Sequence, residues 1–455
     1  MATAASITPE GLGTGPAQDG NWPSARVGWY AVFVLSLSLL VNFLDRGLLA
    51  LLVPQLKADL HLTDTQISLI MGFAFVMFYM VLGLPIARFV DIGNRKRIIA
   101  FGLVLWSGAT ALCGAARSFG QLFLFRVGVG VGEACTGPAS FSLLGDLFPP
   151  VKLPRALAVM NFGFIAGNGL ALIIGGTIVS LLAHASAVTL PVLGELRVWQ
   201  AAFLAVGVPG LMVALLMLTV PEPKRRVEGH APSVREVAAF LMANKMVYGP
   251  LIGSISINTI VAVGNVSWGP AFYMRTFGWD VGTVGLVSGL TWLIIAPIGA
   301  MIGGALAEHL ARKGHDDANL RVVIWSMAIS FPFMAAAPLM PAGWLAATLT
   351  AIGTFGVSLL FGPQNAAFQV VTPGRMKGQV TAVMLFGFNI LGYGLGPTVT
   401  ALFTDYLFRD EMQVGYALST CYALLGPIAF LIMLSGLKPY ARAVAIAREQ
   451  WDKGY

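Results

Sequence analysis

The feature that most constrains this chain is a series of long apolar runs that contain no Asp, Glu, Lys or Arg. The longest run covers 53 residues, 322–374, and Pro341 and Gly343 mark a turn that divides it in two. A helix needs roughly 20 apolar residues to cross a bilayer. These runs and two apolar stretches interrupted by charges predict twelve membrane-spanning helices. We number them spans 1 to 12, at 28–52, 66–90, 97–116, 119–144, 156–183, 199–220, 246–272, 283–308, 320–340, 344–371, 378–405 and 413–437.

The composition excludes a water-soluble fold. Of the 455 residues, 57% are hydrophobic and only 11% are charged, whereas soluble domains carry roughly 25% charged residues. There is too little polar surface to cover a soluble globule of this size. A soluble enzyme, a disordered protein and a coiled coil are therefore excluded, and the predicted fold class is an all-α membrane protein.

The basic residues predict the orientation. Of the 28 Lys and Arg residues, twenty lie in segments on the side of the two termini and five lie on the opposite side. Arg46, Arg88 and Arg126 fall inside or at the edge of spans. Since cytoplasmic loops carry the excess of Lys and Arg, both termini are predicted to be cytoplasmic, at the inner membrane if the chain is bacterial. Topology thus explains the net charge of +7 without a nucleic-acid partner.

The chain repeats itself six spans apart. Residues 158–164 read AVMNFGF and residues 382–388 read AVMLFGF, so six of seven positions match. A repeat in the same direction predicts two six-helix halves related by an axis along the membrane normal, as alternating access requires. The predicted organisation is a flexible cytoplasmic tail, two halves with a cytoplasmic linker between them, and a basic amphipathic tail, at 1–25, 26–221, 222–245, 246–437 and 438–455.

Two loops and two longer stretches resemble a known family. The loop GALAEHLARK (304–313) resembles the loop signature of the major facilitator superfamily, with Glu308 as its acid. The loop ARFVDIGNRK (87–96) resembles a degenerate copy of that signature. Residues 42–70 and 125–150 are similar to the Spinster-type branch. The resemblance implies the major facilitator fold, a secondary active transporter, and lysophospholipid or sphingosine-phosphate cargo, with proton coupling in some members.

Four charged residues lie well inside predicted spans, away from the span ends: Asp45 and Arg46 in span 1, and Arg126 and Glu133 in span 4. A charge near the bilayer centre costs at least about 2.5–3.5 kcal/mol, so each should face an opposite charge or water. Arg126 and Glu133 are two helical turns apart and project from one face, whereas the adjacent Asp45 and Arg46 point about 100° apart. We therefore expect ion pairs between spans 1 and 4, which the resemblance implies are neighbours along a central cavity.

Two interpretations of these four charges are open. In the functional one, Asp45 or Glu133 binds and releases a proton, and Arg46 and Arg126 bind an anionic head group. A guanidinium suits this role because it matches phosphate with two hydrogen bonds. In the structural one, the charges form a static network that fixes helix packing. We expect the functional role, since charges inside membranes are typically functional.

Neutral residues extend the candidate substrate site. Asn265 and Asn389 are expected either to line the cavity or to hydrogen-bond between helices. Trp268 and Phe386 are expected either to contact an acyl chain or to anchor and pack their helices. Spans 7, 8, 10 and 11 contain no charged residue between Met246 and Met274, between Val281 and Ala307, or between Gly378 and Thr404. This predicts a second-half wall without charge and favours an amphiphile over a sugar.

Two sets of loop residues are predicted to latch the cytoplasmic ends of the halves. Acids near basic residues and helix ends can pair across the two halves, although such residues can also serve only to set topology. The sets are Asp91, Arg95 and Lys96 in the first half, and Glu308, Arg312 and Lys313 in the second.

No cofactor or metal is predicted. The histidines show no ligand spacing, and the Gly-rich residues 128–137 lie inside a span without the lysine of a phosphate-binding loop. Energy should therefore come from an ion gradient. The sequence predicts a monomeric secondary active transporter and not an enzyme. It is expected to couple protons to the movement of an amphipathic, lipid-like anion and to be surrounded by membrane lipids. The alternatives are a proton-coupled carrier of a small organic anion or drug and, from another class, a passive lipid scramblase or a non-transporting sensor.

Overall fold

The computed structural model describes residues 22–149, 151–183, 188–190, 194–225, 234–373 and 376–452. Eleven helices in these ranges are long and apolar enough to cross a membrane. The remaining predicted span, 119–144, consists of two shorter helices, Phe119–Ala134 and Thr136–Leu147. Pro138 has no N–H to donate to the carbonyl of Ala134, and this missing bond favours the break. Helices therefore occupy all twelve predicted spans.

The first half contains spans 1 to 6. A short helix, Val53–Leu60, follows span 1, and a two-stranded antiparallel hairpin, Val188–Leu190 with Gly194–Leu196, joins spans 5 and 6. The helices of spans 1 to 6 are Ala25–Leu51; Asp64–Ser68, Leu69–Phe73 and Ala74–Ile92; Arg95–Cys113; Phe119–Ala134 and Thr136–Leu147; Leu153–Ala183; and Val198–Thr219.

The second half contains spans 7 to 12 after a linker helix, Val234–Ala243. Short 3₁₀ turns, Ala337–Leu339 and Glu411–Gln413, follow span 9 and precede span 12. The helices of spans 7 to 12 are Lys245–Phe277; Val281–Leu290, Thr291–Ile295 and Ala296–Arg312; Ala318–Ala336; Gly343–Ser358 and Phe361–Val371; Lys377–Phe388, Asn389–Leu395, Gly396–Leu402 and Phe403–Phe408; and Val414–Asp452.

Several spans contain wide π-helical turns. They are Leu69–Phe73 in span 2, Thr291–Ile295 in span 8, and Asn389–Leu395 and Phe403–Phe408 in span 11. Such turns occur frequently at functional sites because the extra residue redirects the side chains around it. Three of the four turns contribute residues to the central cavity described below.

The two halves meet tightly at one membrane face. We call the face where span 1 begins the terminal face and the opposite one the distal face. Spans 5 and 8 cross at glycines, and a Cβ atom at Gly289 would lie 2.6 Å from the carbonyl oxygen of Gly169. A distal hydrophobic core contains residues of both halves, including Leu48, Val179 and Val284. The halves are therefore closed against each other on the distal side.

The segments outside the halves differ in how they are held. The helix of span 12 continues to Asp452, and Tyr440 and Val444 on this continuation are buried in the second-half core. The predicted C-terminal tail thus begins as an extension of span 12 that packs against protein. The predicted flexible tail, 1–25, lies outside the described residues except for its last four.

Candidate functional site

A cavity of about 410 Å³ lies between the two halves. This volume falls within the range of about 300–1,000 Å³ typical of ligand sites. Arg46, Arg126 and Glu133 line its first-half side. The cavity therefore brings together three of the four charges that the sequence places inside spans, and the fourth, Asp45, lies directly behind them.

Asp45 and Arg126 form a fully buried ion pair. Arg126 Nη1 lies 2.5 Å from Asp45 Oδ2, and each side chain is 1% exposed. Thr110 Oγ1 of span 3 donates to the other carboxylate oxygen at 3.0 Å. Both oxygens of Asp45 are thus occupied, as burial of a charge in low dielectric demands.

Arg46 and Glu133 form a second ion pair that faces the cavity. Arg46 Nη2 lies 2.5 Å from Glu133 Oε2, and the Arg46 side chain is 24% exposed. Its guanidinium carbon lies 4.3 Å from the ring centre of Phe75 and 5.1 Å from that of Tyr393, within cation–π range. Asn42 lies beside this carboxylate, but Glu133 Oε1 accepts no hydrogen bond of normal geometry from the described residues. This pair is therefore less fully satisfied than the pair behind it.

The neutral residues predicted to bind substrate lie in different places. Asn389 lines the cavity, and Asn265 lines a smaller chamber that adjoins it. Trp268 lines neither: it is fully buried, and its indole N–H donates to the carbonyl of Pro397 at 2.9 Å. The structure thus places Trp268 in helix packing, the alternative open at the sequence level. The side chain of Phe386 lies outside the described residues.

The second-half wall is uncharged but not apolar. Among the described residues it contributes no charged side chain to the cavity, and Asn258, Gln364 and Tyr393 line it from spans 7, 10 and 11. Gln364 and Tyr393 were not predicted, because a single amide or phenol changes the average hydropathy of an apolar helix very little.

The first-half loop residues are held within their own half. Arg95 is fully buried and pairs with Asp146 and, at 2.7 Å, with Glu222. Lys96 donates its backbone N–H to Glu222 at 2.9 Å and its ammonium to the carbonyl of Leu218 at 3.2 Å. The loop therefore ties span 3 to the ends of spans 4 and 6. The side chain of Asp91 lies outside the described residues.

The second-half loop residues are exposed. Glu308 pairs with Arg312 on the same helix, and these side chains are 63% and 76% exposed; Lys313 is exposed as well. None of the predicted latch residues whose side chains are described makes an ion pair across the halves. The latch role of these residues is a proposal for the opposite conformation.

A distal network across the halves was missed at the sequence level. Asp64 of span 2 accepts two hydrogen bonds from Arg275 of span 7, at 2.7 and 2.9 Å, and one from Lys57 at 2.6 Å. Lys57 also pairs with Glu411 of the second half. The sequence places these charged residues near the ends of predicted spans, but residue order does not reveal which span ends contact each other.

A second distal contact accompanies this network. The backbone N–H and hydroxyl of Thr65 both donate to Asp405 of span 11, at 2.7 and 2.6 Å. Together with a hydrogen bond from the Ser68 hydroxyl to that of Thr398, these contacts join the two halves on the distal side of the cavity. The conformation is therefore closed at the distal face.

Comparison with known proteins agrees with this architecture. Residues 35–397 match the family model of the Major Facilitator Superfamily. An MFS-type efflux pump of Mycolicibacterium smegmatis is 30% identical over 418 residues, covering 89% of this chain and 92% of the pump. A hexuronate transporter of Bacillus subtilis is 24% identical over 420 residues, covering 90% of this chain and 93% of that protein.

A solved structure gives the same result for the fold. It is a bacterial homologue of the human lysosomal transporter Spinster in an inward-facing, unoccupied conformation, with a TM-score of 0.74 and 25% identity. The alignment covers 94% of this chain and 99% of that one. The alternating-access fold is similar to that of the bacterial Spinster homologue. The chain therefore belongs to the Major Facilitator Superfamily and is a multi-pass membrane transporter, not an enzyme.

Proposed function

We propose that this protein couples protons to the transport of an amphipathic anion of the lysophospholipid type. The anionic group binds at Arg46, and Glu133 carries the proton. In this proposal both termini lie on the cytoplasmic side of the membrane, the inner one in a bacterium, and the protein works as a monomer.

The observation that carries the proposal is the contrast between the two ion pairs. Both oxygens of Asp45 accept hydrogen bonds, one from Arg126 and one from Thr110, and the Arg126 side chain is only 1% exposed. Glu133 uses one oxygen to hold Arg46, and Arg46 faces the cavity. A proton or an anion arriving through the cavity therefore meets the Arg46–Glu133 pair first. We therefore propose Glu133 as the proton carrier and Asp45 as the fixed partner of Arg126.

The same geometry supports a competition mechanism. While Glu133 is ionised, its negative charge neutralises Arg46. When Glu133 takes up a proton, Arg46 loses its counter-charge and binds an anionic head group in its place. Loss of the proton restores the ion pair and expels the anion. Proton and substrate therefore travel together, because each favours the same charge state of the pair.

The apolar part of the substrate has room in the same cavity. Phe43, Leu385, Phe388 and Phe361 are among its lining residues. A cavity that is ionic on one wall and carries aromatic and aliphatic side chains elsewhere suits a molecule with a charged head and an apolar chain.

A hydroxylated small organic anion is the second candidate. The neutral hydrogen-bonding groups on the second-half wall favour it, because Asn258 and Gln364 suit hydroxyl groups. A relative named as a hexuronate transporter agrees with this chemistry. Its anionic group would use the same Arg46–Glu133 pair.

The test is uptake into liposomes that contain the purified full-length protein. An imposed pH gradient should drive accumulation of a radiolabelled lysophosphatidic acid in the wild type. Glu133→Gln should abolish the response to the gradient while exchange at zero gradient continues, because a glutamine cannot carry the proton. Glucuronate in place of the lysolipid tests the second candidate.

The control is Glu195→Gln, which makes the same change at an exposed residue of the distal hairpin. This variant should behave as the wild type does. Gradient-driven accumulation by Glu133→Gln would contradict the proton role. Flux that ignores the gradient in the wild type would indicate a passive scramblase, and no flux of either anion would indicate a sensor.

A further inference from the structure

A small side chamber, lined mostly by second-half residues, adjoins the central cavity. Its volume is about 50 Å³. A single water requires about 10–15 Å³, so the chamber accommodates a group of a few atoms and not an acyl chain. The two spaces are neighbours because five residues line both: Leu172, Ala262, Val266, Trp292 and Val357.

The chamber has many neutral polar side chains and no charged one among its lining residues. They are Asn265, Tyr273, Ser288, Thr291, Thr350, Thr354 and Tyr422. Some of these groups form hydrogen bonds with each other: the hydroxyls of Tyr273 and Thr350 lie 3.0 Å apart. The hydroxyl of Tyr422 has no hydrogen-bond partner among the described residues, although this side chain is only 1% exposed.

A buried hydroxyl without a partner is unfavourable inside a membrane protein, where neither lipid nor an apolar core can replace water. Tyr422 is therefore suited to bond a group that enters the chamber from the cavity. The absence of charge in the chamber excludes an ion as the preferred occupant, since an isolated ion there would lack a counter-charge.

The adjoining second-half wall of the main cavity also contains buried polar atoms without hydrogen-bond partners. Asn258 Oδ1 and Gln364 Oε1 are buried and lack hydrogen-bond partners among the described residues, and both residues line the cavity. Amide oxygens need a donor, whereas a phenol can donate or accept. A hydroxyl group satisfies both requirements because it is a donor and an acceptor at once.

We propose that the second-half wall and its side chamber bind a free hydroxyl group of the substrate, next to the anionic group held by Arg46. This proposal rests on the proposed function and adds a requirement to it: the transported anion carries a hydroxyl close to its charge. The glycerol hydroxyl of a lysophospholipid and the hydroxyls of a sugar acid share this chemistry.

The experiment compares substrates that differ by one oxygen atom. Gradient-driven uptake is measured in proteoliposomes for 1-acyl lysophosphatidic acid and for its 2-deoxy analogue, which lacks only the glycerol hydroxyl. Wild-type protein should take up the hydroxyl substrate about fivefold to tenfold faster at low concentration, the factor for one hydrogen bond to a buried neutral group. Competition by glucuronate or by unlabelled lysolipid shows which source of the hydroxyl the protein accepts.

Two variants test the residues. Tyr422→Phe removes only the phenol oxygen, and Asn258→Leu removes the amide while keeping its shape. Each should bring the hydroxyl-to-deoxy ratio close to one. Tyr416→Phe is the matched control, because Tyr416 lies on the same helix and is 56% exposed; it should retain the wild-type ratio.

The outcomes separate the two proposals. Equal uptake of both lysolipids by wild type overturns the hydroxyl site but leaves proton-coupled anion transport standing. Variants that slow both substrates equally also overturn it, since they then act only through packing. An absence of gradient-driven uptake for lysolipid and glucuronate alike overturns both proposals.

Discussion

At the scale of single residues, the pair of Asp45 and Arg126 determines how well span 4 tolerates a buried cation. Asp45→Asn leaves the Arg126 guanidinium at 1% exposure without a counter-charge. Removing one partner of a buried ion pair costs about 3–5 kcal/mol. We expect a clearly lower unfolding temperature in detergent for this variant.

The double variant Asp45→Asn, Arg126→Met is the control for this prediction. Replacing a whole buried pair by neutral side chains is often harmless to stability, so the double variant should recover much of the loss. A single variant as stable as the wild type would show that the pair contributes little, and equal losses in the single and double variants would point to packing instead.

The sequence predicted that these charges pair between spans 1 and 4, because a lone charge in hydrocarbon needs a partner. Each span carries one acid and one base, so charge sign alone then joins Asp45 to Arg126 and Arg46 to Glu133, as the structure has them. The sequence did not predict which of the two pairs faces the cavity. That depends on how span 1 is rotated against span 4, and residue order contains no direct measure of that rotation.

At the scale of elements, the crossing of spans 5 and 8 holds the distal side closed. A Cβ atom at Gly289 would lie 2.5 Å from Ile173 Cγ1 and 2.6 Å from the carbonyl oxygen of Gly169. Gly289→Ala should therefore push the two helices apart and disfavour the observed conformation. The measurement is the distance distribution between spin labels on the distal ends of spans 5 and 8, which should shift to longer distances.

Gly304→Ala is the matched control, because a Cβ atom there meets no other atom within 4 Å. It should leave the distance distribution as in the wild type. An unchanged distribution in Gly289→Ala would mean that this crossing does not limit the approach of the helices.

Helix positions were predictable because bilayer thickness and the cost of exposed backbone groups set them. Local departures from regular helix were not predicted. The break of span 4 at Cys135 follows from Pro138, a signal that was present in the sequence. The π-helical turn Asn389–Leu395 has no such signal, since hydropathy is insensitive to one extra residue in a turn.

At the scale of the whole molecule, the distal network is predicted to set the balance between the two access states. Asp64→Asn removes one of the two carboxylates that neutralise Lys57 and Arg275, the other being Glu411. The charge-assisted hydrogen bonds between span 2 and Arg275 are then weaker, so the distal ends separate more often. Ser68→Cys provides a reporter, because Ser68 is fully buried behind the network. Its labelling by a membrane-impermeant thiol reagent should become about tenfold faster, the effect of losing one charge-assisted hydrogen bond.

The chain suits this measurement because Cys113, Cys135 and Cys421 are all buried. Asp410→Asn is the control, since within the described part of the chain the Asp410 side chain accepts hydrogen bonds from Met412 and Gln413 of its own loop and from no residue of the first half. It should not change the labelling rate. Equal rates in Asp64→Asn and wild type would show that packing alone holds the distal face.

The sequence by itself determined the membrane, the helices, the two repeated halves and the need for paired charges inside them. These properties follow from the free energy of placing each residue in hydrocarbon or in water, which depends on local composition. The tertiary structure decided which ion pair faces the cavity, which amide and phenol groups line the second-half wall, and which helix ends contact each other at Asp64 and Arg275. Those outcomes depend on the rotation and register of helices that are distant in the chain, and only packing of the whole bundle fixes them.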